Sequence, residues 1–346
     1  MNTTRFTPDK LIRAARLSLA MLISFVYTAY IGVSDGIWVM MTCAIVLFDN
    51  PTLGGTINKS HLRFWGTFIA AALAMVFIVG FANNVIINLI AIVLGVFLAT
   101  YWFMDTKQGY AGGLITWTLP IILINNNNIK GAFLRLLNIS IGILISYILL
   151  RFFYPEYARN KMLISMKNTM IELHKMLDAI NNPELNELQI QSVYLKNEVS
   201  ILSQINSFMR WQDEAKTETK GHPEYVDSAV KAYLHVRRLY RLLSVIIFHF
   251  DCNKIRHNQN IQHKFSVISQ QMELIIQALD KNYSNYYLPE NLIIPEHYSL
   301  TLDKDEYIHH QALSTLTISE IIHEEINGVI GNLVIFFQSR KANNYY

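Results

Sequence analysis

Four basic residues lie inside or beside strongly apolar segments, where a charged side chain is costly. Lys59, His61 and Arg63 follow one apolar run, and Arg135 lies within another, four residues after Gly131. Ionisable residues in a membrane-spanning segment generally face a bundle interior or a water-filled cavity and pair with another group. We therefore take these four side chains as candidates for the lining of an anion path.

The segment before Lys59 contains residues that interrupt a helix. The helix-breaking residues are Pro51, Thr52, Gly54 and Gly55. They predict that one span ends at Pro51 and that a new helix starts near Thr56. Backbone outside a helix is tolerated near a membrane only where protein or a water-filled cavity covers it. Because the start of a helix is partially positive, a break with a basic rim predicts a mouth that attracts anions.

Two simpler interpretations of these residues remain open. Lys59 and Arg63, four residues apart on one helix face, could be loop residues that only set membrane topology. Arg135 could extend its side chain to the outer membrane surface beside Lys130. The candidate counter-ions are Asp35, Asp49 and Asp105. Asp35 is the best placed for Arg135, because the other two lie at the predicted cytoplasmic ends of helices.

No other motif in the sequence brings reactive groups together. Gly-rich phosphate loops, nucleophile elbows and paired-cysteine or paired-histidine metal motifs are absent from the sequence. His309-His310 and His323-Glu324-Glu325 resemble metal ligands, but neighbouring residues on a helix point about 100° apart and do not converge. Cys43 and Cys252 are too far apart to indicate a disulfide framework. We therefore expect no enzymatic activity, no cofactor and no metal.

Six apolar runs are the elements that must position the basic residues. They are Leu17–Val33, Ile37–Phe48, Phe64–Ala82, Val85–Phe103, Tyr110–Ile124 and Ala132–Phe153. Crossing the ~30 Å hydrocarbon core of a bilayer takes about 20 helical residues. Four runs reach this length with their flanks, whereas the second and fifth are short. The sequence predicts an all-α protein with a six-helix transmembrane bundle over residues 1–155.

Lysine and arginine are distributed unevenly between the two sides of the predicted bundle. Those on one side are Arg5, Lys10, Arg13, Arg16, Lys59, Arg63, Lys107, Arg151, Arg159 and Lys161. The connections on the other side carry only Lys130. Because cytoplasmic loops carry the excess of basic residues, both termini are predicted to be cytoplasmic, in a multi-pass protein of the bacterial inner membrane.

Residues 156–346 have the composition of a soluble helical domain. Residues 151–346 hold 20 basic and 22 acidic residues, whereas residues 1–150 hold nine and four. Apolar stripes at helical spacing predict a cytoplasmic bundle of about five antiparallel helices, with a loop at about Asn282–Lys304. No basic stripe interleaved with aromatic residues indicates nucleic-acid binding. The stripe of the second helix is Leu195, Val199, Leu202, Ile205 and Phe208.

The segment Asp49–Thr67 resembles the signature of the fusaric acid resistance protein-like family. That family includes aromatic acid exporters and is related to plant aluminium-activated malate transporters. The matching residues are Asp49, Pro51, Thr52, Leu53, Gly54, Gly55, Thr56, Lys59, Arg63, Gly66 and Thr67. The last apolar run is also similar, opening with Arg135, containing Gly142 and closing with Tyr154-Pro155. The resemblance covers about residues 10–155.

The resemblance implies transport of organic anions, aromatic or dicarboxylic, by a homodimer or higher oligomer in the lipid bilayer. It implies that Lys59, Arg63 and Arg135 attract the anion or line its path. Exporters of this group are often about twice as long as this chain, so channel and carrier mechanisms both stay open. The alternative is a membrane-anchored scaffold or sensor that acts through its cytoplasmic helical domain.

Overall fold

The computed structural model describes residues 8–31, 33–81, 84–125, 129–219, 223–281 and 310–342. In these ranges every regular element is an α-helix, which confirms the predicted all-α class. The chain divides into two compact units, residues 1–157 and residues 158–346, called unit 1 and unit 2 below. The predicted loop at Asn282–Lys304 lies outside the described residues.

Unit 1 contains six apolar helices. They are α1 (Pro8–Ile31), α2 (Val33–Asp49), α3 (Leu53–Phe81), α4 (Val85–Phe103), α5 (Gly109–Asn125) and α6 (Ile129–Phe152). By length and composition, α1, α3, α4 and α6 can each cross a membrane, whereas α2 and α5 are shorter apolar helices. Many large apolar side chains on these helices are exposed, such as Val79, Phe97 and Leu144. Such a surface suits contact with lipid, whose chains are as apolar as these side chains.

Small residues bring the helices of unit 1 into close contact. A Cβ atom on Gly66 of α3 would lie 2.8 Å from the carbonyl oxygen of Ala111 on α5. A Cβ atom on Gly142 of α6 would lie 2.7 Å from Cβ of Thr42 on α2. Helices packed this closely gain van der Waals contact that needs no hydrophobic driving force, as in membrane bundles. The two glycines therefore fix α2 and α6, and α3 and α5, against each other.

The break between α2 and α3 is shorter than the sequence predicts. Helix α3 begins at Leu53 and not near Thr56, so Gly54 and Gly55 form its first turn. Thr52 is the reason, because its Oγ1 accepts a hydrogen bond of 3.2 Å from the backbone N–H of Gly55. A threonine in this position caps the start of a helix. The interruption is therefore confined to residues 50–52.

Arg16 of α1 satisfies backbone groups at two helix ends. Its guanidinium group donates to the carbonyl oxygens of Pro51, Phe153 and Tyr154, at 3.5, 3.3 and 2.6 Å. The backbone N–H of Leu53 donates to the carbonyl oxygen of Glu156 at 2.9 Å. Buried backbone groups need such partners, because leaving one unpaired costs about as much as a lost hydrogen bond. Arg16 is thus a structural residue, although the sequence indicated only a topology signal.

Unit 2 is built from five long helices and one short one within the described ranges. They are α7 (Ala158–Asn181), α8 (Glu187–Glu218), α9 (Pro223–His249), α10 (Cys252–His257), α11 (Gln259–Lys281) and α12 (His310–Ala342). A shared apolar core includes residues from each of them. Asn186 starts α8 with a capping box, in which it and Gln189 exchange side-chain and backbone hydrogen bonds.

Helix α8 packs into this core through a different face from the predicted one. Leu195, Val199 and Leu202 of the predicted stripe are exposed. Of the other two predicted residues, Phe208 is buried and Ile205 is partly buried. The buried residues of α8 are Ile190, Tyr194, Ile201, Phe208 and Ala215. The helix therefore carries two apolar stripes, and only one of them packs against the parts of unit 2 that the structure describes.

Candidate functional site

Arg63 is a buried cation held by neutral groups. It lies on α3 with 3% of its surface exposed. Its Nε donates to Oγ1 of Thr42 on α2 at 3.1 Å, and its Nη1 donates to the hydroxyl of Tyr110 on α5 at 3.0 Å. Within the described residues it forms no ion pair with a carboxylate. Arg63 therefore keeps a positive charge that no described carboxylate balances. This is unusual, because a buried charge is normally paired.

Arg135 is a second buried cation, 7% exposed, on α6. Its guanidinium carbon lies 3.5 Å from the ring centroid of Trp38 on α2, a cation–π contact. Its Nε has no hydrogen-bond partner among the described residues. The side chain of Asp35, its predicted counter-ion, lies outside the part that the structure describes. The guanidinium group is thus packed against α2 and does not extend to the surface beside Lys130.

Thr42 and Trp38, one turn apart on α2, connect the two arginines. Thr42 accepts from Arg63 and donates through Oγ1 to the carbonyl oxygen of Trp38 at 2.7 Å. The ring of Trp38 makes the cation–π contact with Arg135. Two like charges therefore contact neighbouring turns of one short helix. A pair of like charges in an apolar unit is unfavourable unless an anion offsets it.

Lys59 extends this arrangement toward the surface of unit 1. It forms an ion pair with Asp49 at the end of α2. Its Nζ also lies 5.0 Å from the ring centroid of Tyr110, whose hydroxyl group receives the hydrogen bond from Arg63. We call Lys59, Arg63 and Arg135 the cation row. Its partners Asp49, Thr42 and Trp38 lie within 12 residues of α2, and the first and last are roughly 17 Å apart along the helix.

Two buried hydroxyl groups share the α3 face of Arg63. Ser60 and Thr67 lie one turn before and one turn after it, and neither side-chain oxygen has a hydrogen-bond partner among the described residues. Buried polar groups without partners are rare, so each asks for an explanation such as a ligand or water. Ser60 also borders a cavity of about 400 Å³ between α3 and α6. Its lining is Ile57, Ser60, Ser140, Ile143, Leu144 and Tyr147.

Three predicted site residues lie elsewhere. His61 is exposed and accepts a hydrogen bond of 2.9 Å from Nε1 of the exposed Trp65, so it does not join the cation row. Asp105 is exposed after α4 with a φ of 61°, and it makes no ion pair with either arginine. Pro51 contributes only its carbonyl oxygen, to Arg16. The predicted cluster is therefore smaller than the sequence indicated, and it lies deeper.

The neutral members of the site could not be found from the sequence. Trp38, Thr42 and Tyr110 lie in apolar runs, where aromatic and hydroxyl side chains commonly face lipid or bond to their own helix. Their spacing carries one weak signal, because Trp38 and Thr42 are four residues apart and share a helix face. The sequence does not indicate which residues contact that face, because they lie on α3 and α6, which are distant in the sequence.

Comparisons with known proteins place this site within a matched region. The model of the fusaric acid resistance protein family matches residues 10–264, which include the cation row. The multidrug resistance protein MdtO of Escherichia coli (strain K12) is 28% identical over 212 residues, 58% of this chain and 30% of that protein. The UPF0421 protein OB2406 of Oceanobacillus iheyensis is 24% identical over 243 residues, 68% of each chain. This chain thus spans less than a third of the MdtO sequence.

Proposed function

Since the chain belongs to the fusaric acid resistance protein family, we propose that it is a multi-pass inner-membrane transporter of organic anions that acts in efflux or resistance. The matched relative MdtO is named a multidrug resistance protein, which supports the efflux role. Aromatic or dicarboxylic acids are the proposed substrates. The proposal covers both a channel and a carrier mechanism.

The observation that carries the proposal is the buried Arg63, whose hydrogen bonds within the described ranges go only to the neutral hydroxyl groups of Thr42 and Tyr110. A guanidinium group binds a carboxylate through two parallel hydrogen bonds that are about twice as strong as those to neutral acceptors. An entering carboxylate would exchange for the hydroxyl groups and would balance the buried charge. Arg63 is thus proposed as the anion-binding residue.

The neighbours of Arg63 suit an aromatic acid. Trp38 presents its ring to the guanidinium group of Arg135, and Tyr110 presents its ring to the ammonium group of Lys59. Such rings also pack against flat apolar bodies. The unpaired hydroxyl groups of Ser60 and Thr67 supply hydrogen bonds to a second polar group. Lys59, a partly buried member of the cation row, raises the local concentration of anions near the mouth.

We further propose that α1–α6 form the six-span bundle and that α7–α12 lie in the cytoplasm, with both chain termini cytoplasmic. Arg16 and Arg63 are buried in unit 1, so they no longer count as loop charges in the topology argument. The exposed Lys10, Lys107 and Arg151 still give the proposed cytoplasmic side an excess of basic residues, compared with Lys130 on the opposite side. The short helix α2 would then place the break at residues 50–52 near the cytoplasmic surface.

Flux into proteoliposomes tests the proposal. The purified full chain is reconstituted, and uptake of benzoate-like and dicarboxylic anions is measured for the wild type, Arg63→Ala and Arg135→Ala. Arg151→Ala is the matched control, because Arg151 is an exposed arginine on the same helix as Arg135. We expect flux to fall at least about tenfold in Arg63→Ala, the effect of losing a charge-assisted bidentate contact, and to persist in the control.

An absence of flux for every anion in folded wild-type protein would contradict the proposal. So would an Arg63→Ala variant that transports like the wild type. That outcome would favour a membrane-anchored scaffold or sensor, the second candidate function. Its support is that unit 2 builds a complete apolar core of its own, which an anion path in unit 1 does not require. Capture of one cytoplasmic partner by the full chain, unchanged in Arg63→Ala, would then identify it.

A further inference from the structure

Helix α8 exposes an apolar stripe that the described residues of its own unit leave uncovered. Its five large apolar residues are between 45% and 77% exposed. They are Leu188, Leu195, Val199, Leu202 and Met209. At 100° per residue the stripe lies about 120° around the helix from the face of Tyr194, Ile201 and Phe208, which packs into the core of unit 2. An extended apolar face that stays exposed while another face of the same helix is buried marks an interaction surface.

The spacing of the stripe is that of a coiled coil. Leu188, Leu195, Leu202 and Met209 repeat every seven residues and occupy the d positions of a heptad. The intervening a positions are Ser192, Val199 and Asn206. The stripe thus continues through three heptads, over roughly 33 Å of helix. A sustained seven-residue repeat keeps one seam facing a partner helix, which a random apolar patch does not.

We propose that α8 forms a parallel, in-register two-stranded coiled coil with α8 of a second copy of this chain. Leucine at d with a β-branched residue at a is the combination that favours two strands, and Leu195, Val199 and Leu202 supply it at the centre of the stripe. A single asparagine at an a position specifies register, because it pairs with its equivalent in the partner helix. Asn206 has this position and is exposed.

The charges beside the seam agree with this register. A g residue of one helix lies near the e residue five positions later in the other. Gln191 then lies near Lys196, and Glu198 lies near Ser203, so no like charges meet. This surface serves assembly and is independent of the proposed transport, which rests on unit 1 alone. The coiled coil can therefore fail its test while the anion path stands, and the reverse also holds.

Cysteine cross-linking of the full chain tests the contact directly. Both native cysteines, Cys43 and Cys252, are buried and should not react. In Val199→Cys, mild oxidation is expected to yield a disulfide-linked dimer, because equivalent a residues face each other across an in-register seam. Gln262→Cys, an exposed position on α11, is the matched control and is expected to stay monomeric on a non-reducing gel. A Val199→Cys protein that does not cross-link would overturn the proposal.

Substitutions that introduce opposite charges at position 199 distinguish a loss of assembly from misfolding. Val199→Glu and Val199→Lys are each expected to raise the dimer dissociation constant at least about tenfold, since like charges then face each other. Co-expression of the two variants is expected to restore the dimer mass in detergent, which a misfolded variant could not do. A wild-type monomer would overturn the proposal, as would a Val199→Glu dimer of unchanged mass. Either result would assign the stripe to residues 282–309, to lipid or to another protein.

Discussion

Arg63 of α3 and Arg135 of α6 both contact the short helix α2, at Thr42 and Trp38, which lie one helical turn apart. Each arginine has a different kind of partner there, a hydroxyl oxygen for the first and an aromatic face for the second. A movement of α2 along its axis would therefore shift both cations together. We consider this joint attachment the central feature of unit 1.

Thr42→Val is expected to destabilise the protein by about 1–3 kcal/mol. The change keeps the shape of the side chain but leaves Nε of Arg63 without its acceptor in a buried place. Thermal unfolding of the purified chain in detergent measures the loss. Thr100→Val is the control, because Thr100 is exposed on α4 and away from the cation row. Equal melting temperatures for the two variants would count against the role given to Thr42.

Gly142→Ala is expected to lower stability by about 1–3 kcal/mol through overpacking. The added Cβ would lie 2.7 Å from Cβ of Thr42 and 2.9 Å from the carbonyl oxygen of Val39. Gly131→Ala on the same helix is the matched control, because a methyl group there would have no neighbouring atom within 4 Å. That control should be neutral or stabilising by up to about 1 kcal/mol, since alanine favours a helix. The two variants are compared by thermal unfolding, and the prediction fails if Gly142→Ala is the more stable.

Asp35→Asn tests the counter-ion that the sequence predicts for Arg135. If the two residues pair, the change should cost about 1.5–3 kcal/mol, the range for hydrogen bonds to charged groups. Arg135→Gln combined with Asp35→Asn should then recover part of the loss, because neither charge is left alone. Unfolding of the two single variants and the double variant gives the coupling energy. Strictly additive losses would show that Arg135 has no ion pair with Asp35.

Unit 2 is expected to lose stability below about pH 6.5 through His323. Burial lowers the pKa of His323 from its ordinary value of 6.5, and the nearby Lys264 lowers it further. The unfolded chain therefore takes up the proton first, so the stability from neutral His323 is full above pH 6.5 and is lost as the pH falls through its folded-state pKa. His323→Gln should flatten the pH dependence of unfolding between about pH 7.5 and 5.5, whereas Gln262→Ala, a change at an exposed neutral residue, should not. Parallel curves for the two variants would refute this assignment.

The sequence predicted the helices of unit 1 well and their partners poorly. Long apolar runs determine where helices form, and the Pro51 interruption ended α2 close to its predicted boundary. The start of α3 was wrong by three residues, because the cap supplied by Thr52 outweighs the flexibility of Gly54 and Gly55. Arg63 and Arg135 stood out by charge alone. Their neutral partners did not, because a hydroxyl group or a ring on an apolar helix has many ordinary roles.

Helix α8 shows a different limit of sequence reasoning. Its periodicity is compatible with either of two stripes, and one of them holds Leu195, Val199 and Leu202, the more hydrophobic choice. The structure packs the stripe of Tyr194 and Ile201 into unit 2 instead. Periodicity identifies an apolar face but not the surface that covers it, because that depends on helices distant in the sequence. The exposed stripe became informative only when the core was known.

The contacts of Arg16 determine the order in which parts of unit 1 can fold. Its acceptors on Phe153 and Tyr154 are 137 and 138 residues away from it, and the N–H of Leu53 waits for Glu156. The corner between α2 and α3 therefore cannot reach its final hydrogen bonding until α6 has left the ribosome. Until then its backbone needs water or another temporary partner. The hydrogen bonds of this corner can form only after α6 is in place. A chain truncated before Tyr154 should therefore leave the corner accessible to proteases.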